Sequence, residues 1–282
     1  MDVNSNTEDM DEPEKHWLNS IINFMDRYCA VVIDGLHERW DKFDIEIYKT
    51  ETYEVIGALL ARQATLTTQL AQAPQIWNGH IAPIILRTMT DAHITLAWIL
   101  KSPEERTIKY ILYGLGQEKL YIEHLKSEQQ DEEDEQMKQA IEFREAWLNS
   151  QRLDFMTEVD VGSWSGLNTR DMAMEADSES LYKFAYMPFS GPTHNMWQHV
   201  GIYNLEKCRN PLHKYHNVPA IRQVTSDPDY VHRSAKYMNR SYASFDETFN
   251  ISVETPMPLN WYIEEFDRLL EEDERDDIGE TT

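Results

Sequence analysis

Apolar side chains recur along most of this chain at spacings of three and four, the period of an α-helix with one face turned inward. Between residues 14 and 38, Trp17, Leu18, Ile21, Ile22, Met25, Cys29, Val32, Ile33 and Leu36 keep that rhythm. The same pattern predicts helices over 51–72, 79–100, 103–127, 131–150, 168–178, 179–198, 229–249 and 256–274. Punctuation agrees with it: Pro74 ends the second helix and Pro103 opens the fourth. The Gly-, Ser- and Asp-marked stretch 151–168 reads as an exposed loop. Residues 201–228 carry Pro211, Pro219 and Pro228 and hold no sustained period. No repeat, heptad array or low-complexity tract is present. The expected fold is all-α, an irregular multi-helix bundle. Its core domain spans 16–205 and is followed by a C-terminal extension with two helices over 206–275. An acidic flexible N-terminus (1–15) and an acidic tail (276–282) flank them.

Two helices depart from plain amphipathic patterning. The third, 79–100, is apolar around most of its circumference, with Ile84, Ile85, Leu86, Met89, Ile94, Leu96, Trp98 and Ile99, and such a helix is buried. Inside it stand Arg87 and Asp91, four residues apart, and His93. On a surface the pair would contribute about 0.3–0.5 kcal/mol. Buried, it carries a desolvation cost that packing residues would avoid, so a structural pair and a site pair stand as equal alternatives. His93, on another face, reads by itself as a hydrogen-bonded core histidine.

The second is Leu181–Gln198, LYKFAYMPFSGPTHNMWQ. Tyr182, Tyr186, Ser190 and His194 recur every four residues and would share one stripe of a continuous helix. Pro188 and Pro192 predict that the helix is not regular. A hydroxyl and an imidazole on a broken helix point to a site.

Composition changes this picture in three ways. With 41% apolar residues, 8 Trp and 14 Tyr, the chain can bury a substantial core, and its longest apolar runs are too short to span a bilayer. The start of the chain lacks a signal-peptide pattern, and Cys29 and Cys208 are its only cysteines, so a disulfide framework is not expected and a cytoplasmic location is. The net charge of −24 would repel nucleic acid, but it is unevenly spread. Segments 1–15, 128–145 and 254–282 hold −5, −6 and −9. Residues 183–253 carry eight Lys/Arg against five Asp/Glu and five of the ten histidines. The stripe thus lies in the least acidic part of the chain. Acidic ends ordinarily solubilise; shielding of a basic site is the other reading.

Arg87-x-x-x-Asp91 in an apolar helix, a long acidic helix pair, and a Tyr-rich helix with Ser190-x-x-x-His194 together resemble a bacterial family catalogued as a domain of unknown function. That family is all-helical and distantly similar to the HEPN superfamily. The resemblance covers about residues 50–205. The family's first motif usually pairs Arg with Glu, whereas Asp91 stands here. Many HEPN proteins are metal-independent ribonucleases whose Arg and His lie four to six residues apart, often completed across a homodimer. Arg87 and His93, with five residues between them, fit that window, although Thr88 stands where a HEPN enzyme usually has Asn or another polar residue.

The resemblance implies a HEPN-like core and a metal-independent ribonuclease or toxin-like effector in bacterial stress or phage defence, acting on RNA as a homodimer. His194 or His93 would take the 2′-hydroxyl proton, Arg87 would clamp phosphate and Asp91 would orient Arg87. Ser190 would donate to a phosphate oxygen, and Tyr182 and Tyr186 would stack on a base.

Metal chemistry has weaker support. His194 with His199, His213 with His216, and Asp229 with His232 have ligand-type spacings. However, no Glu-x-x-His pair of the di-iron bundle type occurs, and Cys208 has no nearby thiol partner, so neither metal nor cofactor is expected. No Gly-rich phosphate loop or GxSxG elbow is present. The competing expectation is a non-catalytic helical interaction module of a defence or toxin–antitoxin-like system, binding a protein partner or antitoxin. The aromatic segment PLNWYIEEFDRLL suits docking on its own domain or on such a partner.

Overall fold

The computed structural model describes residues 12–44, 46–128, 134–151 and 162–279. The fold is an all-α multi-helix bundle. Its helices are α1 (Glu12–Asp41), α2 (Thr50–Ala71), α3 (Ala82–Leu100), α4 (Pro103–Glu128), α5 (Glu135–Asn149), α6 (Thr169–Glu175), α7 (Glu179–Leu181), α8 (Met187–Thr193), α9 (Trp197–Tyr203), α10 (Asp229–Phe249) and α11 (Pro258–Gly279). A π-helical turn, Tyr182–Tyr186, joins α7 to α8. Among the described residues the sheet is a two-stranded hairpin, β1 (Leu205–Lys207) and β2 (Asn217–Pro219), in antiparallel register with Glu206 opposite Val218. Residues 1–11, 131–133, 152–161 and 280–282, parts of the expected N-terminus, fifth helix, loop and tail, lie outside the described residues. No helix among the described residues is long and apolar enough to cross a membrane.

Two compact units interleave along the chain. One draws on Met1–Asp44, Leu59–His93 and Ser180–Thr282, the other on Ile45–Ala58 and Ile94–Glu179.

In the first unit, α1, α10 and α11 bury an aromatic cluster. The Phe24 ring lies 5.5 Å from that of Trp261, 5.0 Å from Tyr262 and 5.6 Å from Phe266, in the stacked and edge-on arrangements that such rings favour. The PLNWYIEEFDRLL segment thus packs on its own chain. Arg39 is fully buried here. Its Nε and Nη2 donate to the two carboxylate oxygens of Asp246 at 2.8 and 2.7 Å, Nη1 donates to the Gly35 carbonyl, and its guanidinium covers the Tyr242 ring. A side chain at Gly35 would come within 3.1 Å of Arg39 and 3.3 Å of Tyr242, so glycine is what admits the pair.

In the second unit, α4 and α5 bury Leu115, Ile122, Ile141 and Leu148 between them. The Asp134 side chain caps α5 by accepting from the Gln136 and Met137 backbone N–H groups, which starts that helix at Glu135. Glu175 on α6 accepts from Trp98 Nε1 at 2.8 Å and from Arg106 at 3.0 Å.

Candidate functional site

The aromatic stripe begins in the π-helical turn. The Met187 N–H bonds to the Tyr182 carbonyl, one residue further back than in an α-helix. Pro188 supplies the reason: it has no N–H to donate, and in a regular α-helix its ring would collide with the carbonyl four residues earlier. The wider turn removes the collision and leaves Tyr182 and Tyr186 stacked, with centroids 4.8 Å apart. One turn later comes Ser190, whose hydroxyl donates to the Tyr186 carbonyl at 2.8 Å.

Arg87 on α3 meets this stripe. Its Nε donates to Ser190 Oγ at 3.1 Å, across 103 residues of sequence, and its guanidinium lies 3.1 Å from the centroid of the Tyr186 ring. Nη1 pairs with the Asp91 carboxylate one turn along α3. Arg87 is 7% exposed, whereas the Asp91 side chain keeps 48% of its surface open to solvent. The site is therefore a buried cation with an anion at its mouth. Desolvation by the surrounding protein pushes the Asp91 carboxyl above its ordinary range, outweighing the opposing pull of Arg87. The single Ser190 proton is committed to the Tyr186 carbonyl, so toward Arg87 this hydroxyl acts as an acceptor and positions the guanidinium.

The two histidines part company. His93 is 3% exposed, and its Nδ1 lies 3.1 Å from Ser241 Oγ of α10. Burial, and secondarily the nearby Arg240 charge, lowers its pKa to about 4. It is neutral and enclosed in the core. His194 stands one turn beyond Ser190, its N–H bonded to the Ser190 carbonyl and its side chain exposed. Arg87, Asp91, Ser190, Tyr186 and Tyr182 thus form one connected cluster, and His194 is joined to it through its backbone bond to Ser190.

The helix expected over 179–198 ends at Thr193. Asn195 adopts the left-handed conformation (φ 51°), and the Met196 N–H bonds back to the Gly191 carbonyl at 2.9 Å, closing a Schellman motif. The chain then turns into α9, whose existence the weakening apolar pattern concealed. α9 brings His199 beside α8, where a Cβ on Gly191 would touch it at 4.0 Å. The His199 ring stacks on Tyr203 at 4.7 Å and meets His80 at 5.7 Å. Desolvation, then His80, lowers the His199 pKa. Nothing in the sequence links His80 to His199; the turn at Asn195 brings them together.

No curated protein and no solved structure matches this chain. One family model, described as "Family of unknown function (DUF5677)", matches residues 53–209, which include the whole Arg87 cluster, and the chain belongs to that family.

Proposed function

We propose that the Arg87 cluster is the phosphate-binding centre of a HEPN-like, metal-independent ribonuclease, acting on RNA as a toxin-like effector in bacterial stress or phage defence. The observation that carries this reading is the support of Arg87. A serine from a distant helix holds Nε, Asp91 holds Nη1, and Tyr186 covers one face of the guanidinium. An arginine fixed on these sides needs little further ordering to meet a phosphate, which suits a transition state that gains negative charge.

In the proposed step the RNA 2′-oxygen attacks the adjacent phosphorus. Its proton passes to the exposed His194 imidazole, and the 5′-oxygen leaves with a proton from water. The products are a 2′,3′-cyclic phosphate and a 5′-hydroxyl. Arg87 neutralises the phosphorane-like charge, Asp91 orients Arg87, and Ser190 serves as a positioning residue. The Tyr182–Tyr186 stack offers a base an aromatic face. His93, buried and neutral, lacks the access that proton transfer to a substrate needs. A homodimer would place two such centres in one particle.

Incubation of purified protein with single-stranded RNA and tRNA tests this. Cleavage is expected, reduced at least about 100-fold in His194→Ala and Arg87→Ala. Ser190→Ala, which keeps the arginine but frees it, is expected to lower turnover more than substrate affinity. Intact RNA, or variants that cleave like the wild type while circular dichroism shows them folded, would sink the proposal.

A second reading, a non-catalytic interaction module, is favoured by a different feature. An apolar cavity of about 600 Å³ is lined by Trp17, Ile21, Ile22, Met25, Trp77 and Phe266. Intact RNA together with loss of a co-purifying protein in Ile22→Glu would favour that reading.

A further inference from the structure

The β1–β2 hairpin presents a problem of stability. Its strands are three residues each, and two such strands alone are marginal in water. The connection from Cys208 to His216 buries no apolar side chain that could anchor it: Leu212 is 87% and Tyr215 98% exposed. Yet the connection has a defined course. The Cys208 N–H bonds to the His216 carbonyl at 2.9 Å, so the two residues face each other at the base of the loop. Asn210 Oδ1 accepts from the Leu212 N–H, and the His213 N–H bonds to the Asn210 carbonyl, which turns His213 back over that base.

Three ligand-type atoms converge as a result. Cys208 Sγ lies 3.6 Å from His213 Nδ1, which lies 3.2 Å from His216 Nδ1, and the ligand atoms of all three residues fall within 4.8 Å of one another. Zinc binds thiolate at about 2.3 Å and imidazole nitrogen at about 2.0–2.1 Å in tetrahedral geometry. A tetrahedron with those bonds has edges of about 3.6 Å between sulfur and nitrogen and about 3.3–3.4 Å between two nitrogens. The two separations at His213 lie close to those edges, and the third, between Cys208 Sγ and His216, is no more than 4.8 Å.

We propose that Cys208, His213 and His216 bind one zinc ion through Sγ and the two Nδ1 atoms, with the fourth position open to water. One thiolate and two neutral imidazoles suit zinc's borderline softness and would disfavour calcium or magnesium, which take oxygen ligands. The ion would cross-link the two ends of the loop and so replace the missing core. Binding through Nδ1 leaves the proton of His213 on Nε2, which lies 3.3 Å from the Asn210 side-chain nitrogen, so loading moves these two donors apart while Asn210 Oδ1 keeps the Leu212 N–H. The spacing Cys-x4-His-x2-His is visible in the sequence.

Cobalt substitution tests the site on the full chain. Protein stripped with a chelator under reducing conditions is titrated with Co²⁺ and then with Zn²⁺. The expected result is saturation at one equivalent, with the visible bands of tetrahedral cobalt, a near-ultraviolet thiolate-to-cobalt band, and displacement of both by zinc. Cys208→Ser is expected to abolish the thiolate band although Cys29 remains, and His213→Ala or His216→Ala to weaken binding at least about 10-fold. Zinc should also slow tryptic cleavage at Arg209 and Lys214 in the wild type and not in Cys208→Ser. Saturation without a thiolate band, binding that survives Cys208→Ser unchanged, or no stoichiometric uptake would overturn the assignment.

Discussion

Two buried arginines, Arg39 and Arg87, show how surroundings separate structure from chemistry. Arg39 has both carboxylate oxygens of Asp246 and a backbone carbonyl around it, so its donors are turned inward. Arg87 shares its charge with a half-exposed carboxylate, and its other hydrogen-bonded partner is a neutral hydroxyl. Sequence spacing singled out Arg87 because Asp91 sits one turn away on the same helix. It could not single out Arg39, whose partner lies 207 residues on. His93 was legible as a core histidine from its apolar neighbours. Its ordinary pKa is about 6.5, and burial lowers it to about 4. The folded protein therefore resists protonating it: this stabilisation is complete above about pH 6.5 and is lost as the pH falls toward 4, by up to about 3 kcal/mol. Urea midpoints measured across that range should fall more steeply for the wild type than for His93→Gln. Parallel profiles would show that His93 titrates as it does in the unfolded chain.

At the scale of elements, apolar periodicity located the long helices well. The 229–249 expectation coincides with α10, and the first five helices begin or end within a few residues of their predicted bounds. Periodicity failed where backbone conformation rather than apolar burial sets the course. The π-helical turn follows from Pro188, and the end of α8 from Asn195 in a left-handed conformation. A side chain without Asn's tolerance of that conformation adds roughly 1–2 kcal/mol of strain. Asn195→Ala should accordingly lower the melting temperature by about 2–4 °C, and Asn195→Gly should equal or exceed the wild type. Loss of stability in the glycine variant as large as in the alanine one would mean that the side chain, and not the backbone conformation, matters.

For the whole molecule, the contiguous core-plus-extension scheme expected from sequence order can be set beside units that interleave. α10 and α11 belong to the same compact unit as α1 and the Arg87 cluster. Tyr262 on α11 is 4% exposed, edge-on to Phe24 and Tyr28 and stacked on Phe266. Tyr262→Ala should cost about 3–5 kcal/mol in urea unfolding, whereas replacing the 94%-exposed Tyr48 should cost almost nothing. Equal, small effects would show that α11 is not part of the folded core.

By itself the sequence determined the all-α class, the burial of α3 and the two short motifs, because each rests on spacing within one helix, where geometry is repetitive. Only the tertiary structure decided that Ser190 holds Arg87, that His93 and His194 lie in opposite environments, and that Cys208 meets two histidines. Those pairings depend on where turns at Pro188, Asn195 and Asn210 send the chain, and a few dihedral angles outside the helical repeat set them.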